Sequence, residues 1–167
     1  MRVHQTSTVK KIFALTGWIG LSFAAAAVGG LASAKAAGFY QELALPVWAP
    51  PSWLFGPVWT LLYLLMGISA WIVWKTKGWR NAAGALSLFL VQLAANALWT
   101  WLFFAWRLGA AAFFEIILLW ILIICTLIAF WRVRPLAAYL LIPYGLWVSF
   151  AAALTFAIWQ RNPQILG

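Results

Sequence analysis

Phe55, Trp59 and Tyr63 recur at four-residue intervals, and an α-helix carries residues so spaced on one face, with a drift of only about 20° to 40° around the axis over two steps. Against lipid such an aromatic stripe gains little, because acyl tails solvate a ring almost as well as protein does. Against a flat apolar ligand it offers stacking surface of about 1 kcal/mol per ring. Helix packing and interfacial anchoring compete with that use for any single tryptophan. Gln92 and Asn96 repeat the spacing with amides, which in hydrocarbon must find partners and therefore point inward. Interhelical hydrogen bonding, about 0.6 to 2 kcal/mol in membranes, is one outlet. The other is a donor or acceptor for a ligand carbonyl or carboxylate, with Asn96 the first candidate. Glu115 is an acid inside an apolar run. A carboxyl there is a functional candidate; the competing reading pairs it with Arg107, about two turns earlier, near the interface.

Acid–base and metal chemistry have little else to draw on. The single histidine, His4, stands in a polar N-terminal stretch, and the single cysteine, Cys125, in an apolar run. No histidine or cysteine metal set and no intrachain disulfide can be assembled, so no metal or cofactor is expected, and Cys125 reads as a small buried apolar side chain. Of the 167 residues 66% are hydrophobic, 18% aromatic and 8% charged, with a mean hydropathy of +0.97. Soluble domains carry about a quarter charged residues, so this exterior must face lipid. The net charge of +9 comes from bases scattered singly or in pairs between apolar blocks. That pattern suits membrane topology and headgroup contact and excludes a nucleic-acid groove.

The elements that must position the stripe and the amides follow from length, since about 20 apolar residues cross the hydrocarbon as a helix. Five segments qualify, at about 12–34, 52–74, 82–106, 108–131 and 136–159. The sequence thus predicts an all-α, integral membrane five-helix bundle over residues 12–160, between a polar tail at 1–11 and a C-terminal tail at 161–167. Lys10, Lys11 and Ala32-Ser33-Ala34 also fit a secretory signal, but the apolar stretch is longer than the usual 7 to 15 residues, roughly, and fits a retained first helix. Residues 38–51, stopped by Pro46, Pro50 and Pro51, form the long loop; Lys75-Thr76-Lys77-Gly78-Trp79-Arg80 forms a short basic turn. Pro143 should kink the last helix beside Tyr144 and Trp147. Eight bases (Arg2, Lys10, Lys11, Lys75, Lys77, Arg80, Arg132, Arg134) fall on one side and three (Lys35, Arg107, Arg161) on the other, which for an inner membrane puts the N-terminus in the cytoplasm. Trp18, Trp71, Trp74, Trp79, Trp106, Trp131 and Trp159 lie near segment ends and suit anchoring, and Trp48, Trp53 and Trp99 read as structural. Small residues Gly17, Gly20, Ala83 and Ser87 permit a homodimer.

From Tyr40 to Tyr63 the chain reads Y-x-x-L-x-x-P-x-W-x-P-P-x-W-x-F-x-P-V-W-T-x-L-Y; Gln92 to Phe104 reads QLAANALWTWLFF, and Pro143 to Ala151 reads PYGLWVSFA. Together these three stretches resemble the tryptophan-rich sensory protein, translocator-protein or TspO/MBR family, also known as the peripheral-type benzodiazepine receptor family. The resemblance covers residues 10–160. It implies a five-helix membrane protein, often dimeric, that binds porphyrins such as protoporphyrin IX, haem and related tetrapyrroles, benzodiazepine-site ligands and, in many members, sterols. It also implies a pocket under the first loop lined by Tyr40, Pro50, Phe55, Trp59, Tyr63, Asn96, Trp147 and Ala151. Trp59 and Trp147 match the tryptophans associated with light-dependent porphyrin breakdown in similar bacterial proteins. Leu45 stands where most relatives have Lys, and Phe39 where they have Trp; the helix-five stretch Leu154 to Arg161 lacks the tyrosine of the vertebrate sterol motif. The expected function is membrane-phase binding of a planar tetrapyrrole for sensing, protection or transfer, with residues 38–51 as lid. An enzyme-like photochemical breakdown and a sterol or porphyrin transporter are the alternatives.

Overall fold

The computed structural model describes residues 8–34 and 36–167; His4, Arg2 and Lys35 lie outside the described residues. The elements are α1 (Thr8–Ala32), α2 (Ala36–Glu42), a 3-10 turn (Ser52–Leu54), α3 (Phe55–Thr100), a π-helical turn (Trp101–Ala105), α4 (Gly109–Val133), α5 (Pro135–Arg161) and α6 (Pro163–Leu166), with no strand among the described residues. Among the described residues four helices are long and apolar enough to cross a membrane, not the five segments read from sequence, because the second and third are merged in one helical run, Ser52–Ala105.

That run is not straight. An unbroken α3 of 46 residues would be about 69 Å long, more than twice the hydrocarbon thickness. Yet Tyr63 hydrogen-bonds Asn96, and the Gln92 amide lies 4.0 Å from Met66 Sδ. Residues so far apart in sequence meet only if the helix doubles back. The reversal is at Gly78, with φ 68 and ψ 173, a backbone region that costs glycine nothing and other residues dearly. The basic turn expected at 75–80 is therefore a single glycine, with helix on both sides.

Two further elements depart from expectation. The loop at 38–51 begins with α2, whose Phe39 and Tyr40 are buried; their apolar contact is what the short helix lacks in propagation length. The joint before α4 is the π turn followed by Arg107 at φ 55, a left-handed residue that aims the next helix back along the last. Pro143 lies inside α5, beside Tyr144. The C-terminal tail is not free either, since Leu166 of α6 is fully buried.

Lys10, Lys11, Lys75, Lys77, Arg80, Arg132 and Arg134 gather at one end of the bundle. Trp71 Nε1 donates to the Lys11 carbonyl at 3.0 Å, and Ser69 Oγ donates to the Ala137 carbonyl at 2.6 Å, which sets α1, the first arm of α3 and α5 level there. Arg107 lies at the other end, 3.9 Å from Glu42. Apolar side chains such as Phe114, Leu146 and Leu61 face outward, as a lipid-facing exterior requires. Cys125, read as buried, is exposed on that surface. Trp18, read as an interface anchor, is core: the Gly78 reversal stacks Trp79 on it at 6.3 Å, and Phe89 meets its edge at 6.0 Å.

Candidate functional site

At the end opposite Gly78 the helices do not close on one another. A cavity of about 700 Å³ lies there, within the roughly 300 to 1,000 Å³ of small-molecule sites. Its floor and walls come from several elements. Phe55, Trp59 and Tyr63 line it from the first arm of α3, Asn96 and Trp99 from the second, Trp147 and Ala151 from α5, and Tyr40 from α2. Seven of the eight residues named for the pocket from sequence thus share one cavity. Pro50, the eighth, does not line it; its carbonyl accepts a hydrogen bond from Tyr40 Oη at 3.1 Å, which ties the loop to α2. Burial pushes the Tyr40 phenol up from its ordinary pKa, which keeps it a donor to that carbonyl.

The rings form a connected lining. Tyr40 meets Phe55 edge-on at 5.6 Å, Phe55 meets Trp147 at 6.0 Å, and Trp59 lies 5.6 Å from Tyr63 and 6.2 Å from Tyr144. Each pair is within the range of favourable ring geometry, so the walls are held by one another before a ligand arrives. The polar centre is Asn96, almost wholly buried. Its Oδ1 accepts from Tyr63 Oη, and its Nδ2 donates to Tyr144 Oη at 3.0 Å. The inward amide anticipated from spacing is therefore first an interhelical tie joining both arms of α3 to α5. Gln92, one turn away, is buried behind the cavity.

Sequence reasoning missed several lining residues. Trp53 and Trp99, read as structural, both line the cavity, and α1 contributes Phe23, Gly29 and Gly30. Trp99 stacks on Phe103 at 5.5 Å, and the π turn that carries Phe103 sets its direction. The indole Nε1 atoms of Trp99 and Trp147 are buried without a hydrogen-bond partner among the described residues. No motif marked α1, because small residues that open onto a cavity look in sequence like small residues that face lipid.

Glu115 does not pair with Arg107. Arg107 is drawn instead to α2, its guanidinium 4.7 Å over the Phe39 ring and 3.9 Å from the Glu42 carboxylate. Glu115 is 9% exposed, and neither carboxyl oxygen has a partner among the described residues. The pairing failed because Arg107 is not on the helix that carries Glu115: α4 begins at Gly109. Among the described residues no charged side chain lines the cavity, so what they offer a ligand is apolar contact and ring stacking.

The family model described as TspO/MBR matches residues 18–160. The chain is 42% identical over 156 residues to a tryptophan-rich protein TspO of Chlorobaculum tepidum, covering 92% of this chain and 99% of that one. It is 39% identical over 141 residues to protein CrtK of Rhodobacter capsulatus (83% and 86% covered). With the human translocator protein the identity is 38% over 126 residues (74% and 75% covered). With its long apolar helices, the chain is an integral multi-pass membrane protein that belongs to the TspO/MBR family.

Proposed function

We propose that the protein binds a planar hydrophobic molecule taken from the membrane phase, most directly a tetrapyrrole such as protoporphyrin IX or haem, in a sensing, protective or transfer role. The observation that carries this reading is the cavity walled by Phe55, Trp59, Tyr63, Trp99 and Trp147: flat faces for a flat apolar body, with Tyr63 and Asn96 as polar groups in its lining. In this reading each arm of α3 crosses the bilayer once, giving five passes, the Gly78 end lies in the cytoplasm if the host is an inner membrane, and residues 38–51 cap the site. Small outward-facing residues, Gly17 and Gly20 among them, support close approach of a second copy as a homodimer.

Titration of the purified protein in nanodiscs with protoporphyrin IX tests the reading: saturable binding with a shifted porphyrin absorbance is expected, and only linear, lipid-like partitioning contradicts it. Trp59 and Trp147 both face the cavity, which favours a second reading in which bound porphyrin is photo-oxidised through them. Illumination of Trp59→Phe and Trp147→Phe proteins that still bind porphyrin decides it. Slower breakdown than in the native protein supports the photochemical role, and an unchanged rate removes it.

A further inference from the structure

Asn162, at the end of α5, is buried away from the cavity and uses its amide to tie the loop to its own helix. Oδ1 accepts from the Ala44 N–H at 2.8 Å, while Nδ2 donates to the Ala44 carbonyl at 3.2 Å and to the Ile158 carbonyl at 2.8 Å. The two bonds to Ala44 oppose one another as in a hydrogen-bonded pair of antiparallel strands, so the side chain fixes both the position and the rotation of the chain at residue 44. The third bond locks the amide to its own helix. Behind it, Leu166 is fully buried in the same apolar cluster as Phe39, Tyr40 and Leu43, which keeps this helix end from yielding.

Ala44 divides the loop into unlike halves. On its N-terminal side Phe39, Tyr40 and Leu43 are buried, and Arg107 clamps α2 through Glu42 and the Phe39 ring. On its C-terminal side Val47, Trp48 and Trp53 are exposed. Residues 47–53 are held by the Tyr40 bond to Pro50 and by Trp48 against Phe150 at 5.8 Å, and Pro50 and Pro51 stiffen them. We propose that Asn162 is the fixed pivot of the lid: the cavity opens by movement of residues 47–53 about Ala44 while α2 stays docked. Asn162 is then a positioning residue that sets how fast ligand exchanges rather than how tightly the walls hold it. This rests on the cavity being a binding site.

Hydrogen exchange on the full chain in nanodiscs, together with protoporphyrin IX association and dissociation rates, tests the pivot. In Asn162→Ala the amides at 43–49 exchange faster by about tenfold or more while those of α2 are unchanged. Both porphyrin rates rise together by about threefold or more, so that the equilibrium affinity barely moves. Asn162→Asp keeps an acceptor for the Ala44 N–H and gives a smaller change in the same direction; it carries the test if the alanine variant does not fold. Loosening of α2 along with residues 43–49, or porphyrin rates equal to the native ones, overturns the pivot. If the native protein takes up no porphyrin, the binding reading fails, and the exchange data alone decide whether Ala44 is pinned.

Discussion

The two ends of this bundle are built on opposite principles. Toward Gly78 the interior is closed: Met66, Ala70, Val73, Leu86, Phe89, Phe130, Ala137 and Ala138 are fully buried, and a Cβ on Gly67 would come within 2.7 Å of the Ile19 backbone. Toward residues 38–51 the same helices stay apart around a cavity whose Phe55, Trp59, Trp99 and Trp147 are only half-buried. Without a hydrophobic drive between helices in lipid, close packing of small residues is what associates them. The closed end supplies that association for the whole bundle, so the open end is free to keep large, imperfectly packed rings facing a void. Under the proposed function, stability and binding rest on different residues.

Substitutions at the two ends should therefore separate. The largest effects on stability are expected at the closed end, beginning with Gly67→Val, whose side chain meets backbone rather than a side chain that can move. A loss of about 3 kcal/mol, at the top of the overpacking range, lowers the thermal midpoint by about 6 to 12 °C in a chain of this size. A midpoint within a degree of the native value would break the distinction between the ends. Next comes the pair Phe89→Ala and Trp59→Ala. The first opens a cavity in the closed end and should cost about 3 to 5 kcal/mol of stability while any folded fraction binds porphyrin normally. The second should leave the midpoint nearly unchanged and weaken porphyrin binding about tenfold, roughly 1.4 kcal/mol of lost stacking. Calorimetry and porphyrin titration on both proteins check this, and a ligand defect in Phe89→Ala would show that the ends are coupled.

The smallest effect is expected at Glu115. Its buried, unpartnered carboxyl is a cost to the fold unless something satisfies it. Glu115→Gln should raise the thermal midpoint by about 2 to 4 °C, or roughly 1 kcal/mol, and leave porphyrin affinity unchanged. A lower midpoint would mean that the carboxylate is held by a partner.

Much of this was legible in the sequence where a residue's use depends on spacing along one helix. Phe55, Trp59 and Tyr63 share a face because four residues make about one turn, and Asn96 points inward because an amide has no partner in lipid. What could not be read depends on how helices meet. Trp18 lies near a helix end like any anchor, and only the reversal at Gly78 places Trp79 and Phe89 against it. Arg107 is separated from Glu115 by a distance that suits a pair, but its left-handed backbone turns it to α2. Trp53, Trp99 and the α1 wall look like packing until the π turn and the loop have been folded over them. The family motif supplied Tyr40, Trp147 and Ala151, which spacing alone does not single out.

The central claim, that the open end is a ligand site standing on an independent scaffold, is tested most directly at Ala151, which lines the cavity from α5. Protoporphyrin IX titrated against native and Ala151→Phe proteins in nanodiscs, followed by tryptophan quenching, with the thermal midpoint of each recorded alongside, separates occupancy from folding. The prediction is saturable quenching in the native protein and at least about tenfold weaker binding in a variant that melts at nearly the native temperature. Equal saturable quenching in both proteins would place the ligand elsewhere and contradict the account.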